Sequence, residues 1–169
     1  MKKTICCILT IVMLSAAPAW ANEGSNTSGG KSGAEWTVML YLCGTDLETD
    51  GKMATLNLEE IAATKANNKV NVVIQTGGTK TWHAKKTLGL DIASDKMQRY
   101  TYDAAGYKLR EEGSLPNMAY GQSLTDFVKW SKQNYPAKKY MLVMWDHGGG
   151  SNGGLIVDVQ YENAAMSVE

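Results

Sequence analysis

Between Lys139 and Gly150 an unbroken apolar run, Tyr140 to Trp145, is closed by lysines on one side and by Asp146, His147 and three glycines on the other. A run this short cannot make an independent helix, so it reads as a buried parallel strand. Its C-terminal end delivers an imidazole, beside very accessible backbone, to the rim of a sheet. In α/β folds that rim is where ligands bind.

The chain before this strand supplies neighbours for it. Trp36 to Leu42 is rich in β-branched and aromatic residues and ends at the turn signal Cys43-Gly44-Thr45-Asp46. After Asp50-Gly51, the residues Ala54, Leu58, Ile61 and Ala62 fall on one face of a helix that stops at Asn67-Asn68. Val70 to Thr76 is a second strand, closed by Gly77-Gly78. Strand, helix and strand in this order predict a right-handed parallel crossover. Met97 to Tyr102 and Tyr107 to Glu111, joined by Asp103-Ala104-Ala105-Gly106, predict an exposed antiparallel hairpin decorating an edge. A second helix is predicted with Ser123 as its cap and Asp126 at its third position. Leu124, Phe127 and Val128 form its buried stripe, and Pro136 follows its end.

Residues 1–21 have the form of a bacterial secretory signal. Lys2 and Lys3 precede an apolar core, Ile5 to Leu14, that is too short to span a bilayer, and Ala19-Trp20-Ala21 is a small-x-small cleavage site. Removing this segment takes two of the 17 basic residues and none of the 17 acidic ones, leaving 15 against 17 and a net charge of −2. Such a balance gives no basic footprint for nucleic acid, and no membrane role is expected once the signal is gone. Cys6 and Cys7 leave with the signal, and they precede its apolar run rather than follow it, which argues against a lipid anchor. The single remaining cysteine, Cys43, cannot form an internal disulfide, and with two histidines it makes a poor structural zinc site. Residues 22–35 are a tether rich in Gly, Ser, Asn and Thr. Gly30-Lys31-Ser32 resembles the end of a phosphate loop, but Ser25 stands where that motif needs glycine and no strand precedes it. The folded part, 36–169, fits one domain.

His147 is one of two histidines. A loop histidine without a catalytic role is the plainer reading, but the rim of a buried strand suits a general acid or base. The glycine amides that follow can point at a developing oxyanion. His83, in Trp82-His83-Ala84-Lys85, reads as a loop histidine near a packed tryptophan. Asp146 orients or caps its turn. Asp46, Glu48 and Asp50 read as a solvated acidic turn, since the regular calcium loop with its closing Glu is missing. No His-Glu-x-x-His zinc motif is present.

Three segments carry a resemblance: Trp36 to Glu48 (WTVMLYLCGTDLE), Asn71 to Gly78 (NVVIQTGG) and Tyr140 to Gly150 (YMLVMWDHGGG). Together they resemble the clostripain family of cysteine peptidases, in the family's order and over nearly everything after the tether. His-Gly after an apolar strand also marks the wider caspase, legumain and gingipain group, which this family resembles in fold. The resemblance implies an α/β, caspase-like three-layer sandwich around a mostly parallel sheet. It further implies His147 as the catalytic acid and base, the Gly148 amide as an oxyanion-hole donor, and cleavage of protein or peptide substrates after Arg or Lys. No cofactor is expected to be required; calcium is left open, with no ligand loop to support it.

In such enzymes the nucleophilic cysteine follows the next strand in an Asp-Ala-Cys context, and this chain stops at Glu169 before any such strand. The expectation is therefore the N-terminal, histidine-bearing part of a secreted or periplasmic clostripain-like endopeptidase, incomplete at its C-terminus. Alone it is expected to be inactive, and to need a C-terminal heavy chain or missing segment that bears the catalytic cysteine. No Lys or Arg occurs between Lys139 and Glu169, so self-cleavage after a basic residue does not account for this end. The far edge of the Tyr140–Trp145 strand is expected to be unpaired. Cys43 reads as a small buried strand-end residue, with a substitute nucleophile as the competing reading. A noncatalytic secreted binding module or a truncated remnant is the alternative for the whole chain.

Overall fold

A computed structural model describes residues 10–14, 30 and 33–167. In chain order the strands are β1 (Thr10–Leu14), β2 (Trp36–Cys43), β3 (Val70–Gly77), β4 (Lys96–Asp103), β5 (Gly106–Ser114), β6 (Lys139–Trp145), β7 (Ile156–Asp158) and β8 (Ala164–Met166). The helices are α1 (Thr45–Thr49), α2 (Met53–Ala63), α3 (Ala84–Leu88), α4 (Gly121–Asn134) and α5 (Gly150–Gly153).

The predicted parallel unit is present. β2 pairs in parallel with β3, from Trp36↔Val70 to Cys43↔Gly77, and on its other side with β6, from Trp36↔Lys139 to Leu42↔Trp145. Antiparallel strands flank this parallel centre, giving the sheet order β1-β6-β2-β3-β4-β5. The near-continuous apolar runs of the central strands follow from having both faces covered. Met39, Tyr41, Leu142 and Met144 point to a core closed by Phe127 of α4, whereas Leu40, Leu42, Val143 and Trp145 point to a second core closed by Leu47, Ala54 and Leu58 of α1 and α2. Helices therefore cover both faces of a mixed sheet, an α/β sandwich of three layers.

Local details depart from expectation in three places. α4 begins at Gly121 with Tyr120 in the capping position and no side-chain cap. Ser123 lies inside the helix and donates its hydroxyl proton to the Asn117 carbonyl at 2.7 Å, because Asn117 already organises the entering turn by accepting the Ala119 N–H at 2.8 Å. The hairpin β4–β5 is antiparallel and lies at the edge of the sheet, as expected, but β4 is an integral, buried strand rather than an exposed decoration. β4 pairs with β3, and its residues Gln98 to Thr101 are buried, which satisfies a backbone edge that β3 would otherwise expose. Arg99 within it donates to Gln75 Oε1 at 2.8 Å and lies 4.9 Å from the ring centre of Trp130.

The third departure concerns β6. Its far edge is paired with β1, antiparallel from Thr10↔Met144 to Leu14↔Tyr140. An apolar extended segment is a good partner for an open edge, and this one comes from the stretch that the sequence assigns to a signal. The basic start and cleavage site of that signal, Cys6, Cys7, most of the tether and Lys31-Ser32 lie outside the described residues. Among the described residues no helix is long and apolar enough to cross a membrane.

Candidate active site

Because β2 and β6 run parallel as neighbours, the chain leaves both at the same rim of the sheet. β2 exits through Gly44 into α1, and β6 exits through Asp146, His147 and Gly148. The two exits meet. His147 Nε2 lies 2.8 Å from Asp46 Oδ1, with the histidine side chain 48% exposed and the aspartate 62% exposed. The hydrogen bond from His147 holds the Asp46 carboxyl below its ordinary range, so this group is an anionic acceptor at neutral pH.

Backbone geometry aims Asp46 at the ring. The residue before it, Thr45, has φ +48, a left-handed conformation that is costly for a β-branched residue, of order 1–3 kcal/mol. Neighbouring groups hold it there: the Thr45 N–H donates to the Gly78 carbonyl at 2.9 Å, and the Thr45 carbonyl accepts from Thr79 Oγ1 at 2.7 Å. The end of β3 thus fixes the turn that leaves β2.

Asp146 fixes the other exit. It is 4% exposed, and its two oxygens accept the His147 N–H and the Val157 N–H, each at 2.6 Å. Burial pushes its carboxyl above the ordinary range even though both N–H donors favour the charged form. Gly148 follows at φ +69, and the loop closes where the Gly149 N–H donates to the Gly154 carbonyl at 2.8 Å. A cavity of about 480 Å³ opens here, lined among others by Asp46, Asp146, His147, Gly148, Leu155 and Val157. It is large enough for an amino-acid side chain and has an imidazole at its wall.

The other residues singled out in the sequence lie elsewhere. Cys43 is fully buried, with its thiol directed at the Val157 carbonyl at 3.4 Å under the β7–β8 hairpin. Burial first, then the Asp146 and Asp158 carboxylates, pushes this thiol well above its usual range, so it stays protonated and unreactive. His83 makes its contacts away from the cavity, with Nε2 at 3.0 Å from the Thr49 carbonyl. Glu48 overturns the picture of a solvated acidic turn. It is fully buried, and it accepts the Thr55 N–H and hydroxyl and the His83 N–H, tying α1, α2 and α3 together.

Two features escaped sequence reasoning. The pairing of Asp46 with His147 has one sequence signal, an acid three residues beyond one strand and a histidine two residues beyond a parallel neighbour. Gly149-Gly150-Ser151-Asn152-Gly153 spells the Gly-x-Ser-x-Gly of a hydrolase elbow, but its serine falls inside the four-residue α5 and opens no long helix.

Comparison with known proteins gives the following likenesses. The sequence model described as the clostripain family matches residues 40–160. The clostripain of Hathewaya histolytica is 22% identical over an alignment 169 positions long that covers 85% of this chain and 32% of the relative. The chain thus spans about a third of that relative's length. Among solved structures, a clostripain from Bacteroides thetaiotaomicron in complex with a peptide inhibitor is 19% identical with a TM-score of 0.48, covering 70% of this chain and 94% of that one. A secreted C11 cysteine protease of the same organism, iotapain, is 18% identical with a TM-score of 0.43, covering 64% and 28%.

Proposed function

The chain belongs to the clostripain family, and from that premise we propose that it is the histidine-bearing part of a secreted cysteine endopeptidase that cleaves after Arg or Lys, with His147 as general acid and base. The observation that carries this reading is the half-exposed His147 at the wall of a cavity, beside the left-handed Gly148 and anchored at its backbone by Asp146. Nδ1 of His147 takes the proton of the attacking thiol. The thiolate adds to the scissile carbonyl carbon, with the Gly148 N–H as one donor to the oxyanion. Nδ1–H then protonates the leaving amine as the C–N bond breaks, and water hydrolyses the thioester with His147 again as base. The thiol belongs to a cysteine on a further segment or heavy chain, since Cys43 is sealed and neutral. The signal at 1–21 takes the chain out of the cytoplasm, and 36–169 form the histidine-bearing part of the peptidase domain.

The buried Cys43, the one cysteine among the described residues, also favours a second reading, a noncatalytic secreted binding module. The test is hydrolysis of Arg- and Lys-amide peptides by the protein from its native producer, with the intact mass of every associated chain. A cysteine-bearing partner or extension, together with activity abolished by His147→Ala, supports the peptidase. A lone chain without thiol-dependent hydrolysis leaves the binding module.

A further inference from the structure

We propose that Asp46 is a positioning residue for His147: it accepts a hydrogen bond from Nε2–H, so that the neutral ring keeps its lone pair on Nδ1, the nitrogen assigned above to take the thiol proton. This rests on the reading of His147 as the acid and base. The bond runs between residues 101 positions apart, from Nε2 to Oδ1 at 2.8 Å, and joins the exits of two parallel strands. An ionised carboxylate has no proton to donate, so only a ring protonated on Nε2 can make this bond. Two aspartates therefore divide the work. Asp146 accepts the backbone N–H of His147 and places the residue, while Asp46 accepts from the ring and sets its rotation and tautomer.

The backbone around Asp46 supports the assignment. Thr45 is held at φ +48 by Gly78 and Thr79, and its hydroxyl lies 3.4 Å from Asp146 Oδ1, so the segment carrying Asp46 is locked to the segment carrying His147. A surface acid in the first turn of α1 would need none of this. The Asp46 side chain is itself largely exposed, so its removal leaves no buried group without a partner.

The experiment is nitrogen-15 NMR of the His147 ring in the full chain at a pH where the ring is neutral, for the native residue, Asp46→Ala and Asp46→Asn. The native ring is expected to carry its proton on Nε2. Asp46→Ala removes the bias, and in Asp46→Asn the amide can donate to a bare Nε2, so the Nδ1–H fraction rises about fivefold. In the active protein from the producer, the same variants lower kcat about ten- to hundredfold with KM nearly unchanged. An Nδ1–H fraction that neither variant moves overturns the proposal, as does a moved tautomer with unchanged kcat. If the tautomer responds but His147→Ala leaves hydrolysis intact, the pairing is supported and the peptidase reading of His147 falls instead.

Discussion

Asp146 and Val157 are joined across the rim of the sheet: the buried carboxylate accepts the Val157 N–H at 2.6 Å. Its other oxygen accepts the His147 N–H, so one side chain sets both the exit of β6 and the height of the β7–β8 hairpin above Cys43. Asp146→Ala deletes two charge-assisted hydrogen bonds and is expected to lower stability by about 2–4 kcal/mol, read from urea unfolding. An unchanged midpoint would mean that other contacts hold the hairpin.

The same residue predicts a pH dependence. The buried Asp146 carboxyl titrates above its ordinary 3.8, so the folded chain keeps this proton after the unfolded chain has released it. Its contribution to stability therefore falls as pH rises from 3.8 through the raised folded value. Asp46 runs the other way. Its lowered carboxyl contributes stability that is present above the ordinary value and lost as pH falls through the lowered one, a contribution weakened by solvent exposure. Urea midpoints across the acid range are expected to show a falling limb that Asp146→Ala removes and Asp46→Ala retains. A limb that survives Asp146→Ala assigns it to another group.

Gly78 has φ +67, and a Cβ placed on it would run into the Cys43 sulfur. Gly78→Ala is expected to cost about 2–4 kcal/mol, through backbone strain and overpacking together. Gly106, at φ +93 with open space around it, is the control, and Gly106→Ala costs only about 1 kcal/mol. In the native protein iodoacetamide labels Cys43 only as the chain unfolds, and faster in Gly78→Ala. Rapid labelling of the native form would contradict a sealed thiol.

Removing residues 1–21 takes away β1 and uncovers the outer edge of β6. The β6 amides that face β1 are then expected to exchange with deuterium at least about tenfold faster, and the shortened chain to associate more readily through the open edge. Equal exchange in the two forms would show that another segment covers that edge.

Much of the fold was legible because the central segments obey simple rules. β2, β3 and β6 lie where both faces of the sheet are covered, so their apolar runs stand out, and Ala54, Leu58 and Phe127 mark helix faces by spacing. The caps and short elements were not legible. Ser123 has the right chemistry for a cap, but Asn117 claims its hydroxyl. The five-residue α1 and the three-residue β7 and β8 are too short to show a period. Glu48 looks like a solvent acid in sequence and is a buried tie between three helices, since burial depends on what arrives from afar.

By itself the sequence determined that a buried strand ends in Asp146-His147-Gly148, and so placed an imidazole at the rim of an α/β sheet. Local periodicity and turn chemistry suffice for that, because they act between residues close in the chain. Only the tertiary structure decided that Asp46 meets the ring, that Asp146 turns inward to hold Val157, and that Cys43 is sealed. The first depends on the parallel register of β2 against β6, which brings together two residues 101 positions apart that carry no local sign of one another. The other two depend on how the β7–β8 hairpin folds back over the rim, since Val157 accepts the Cys43 thiol from 114 positions away and donates to Asp146.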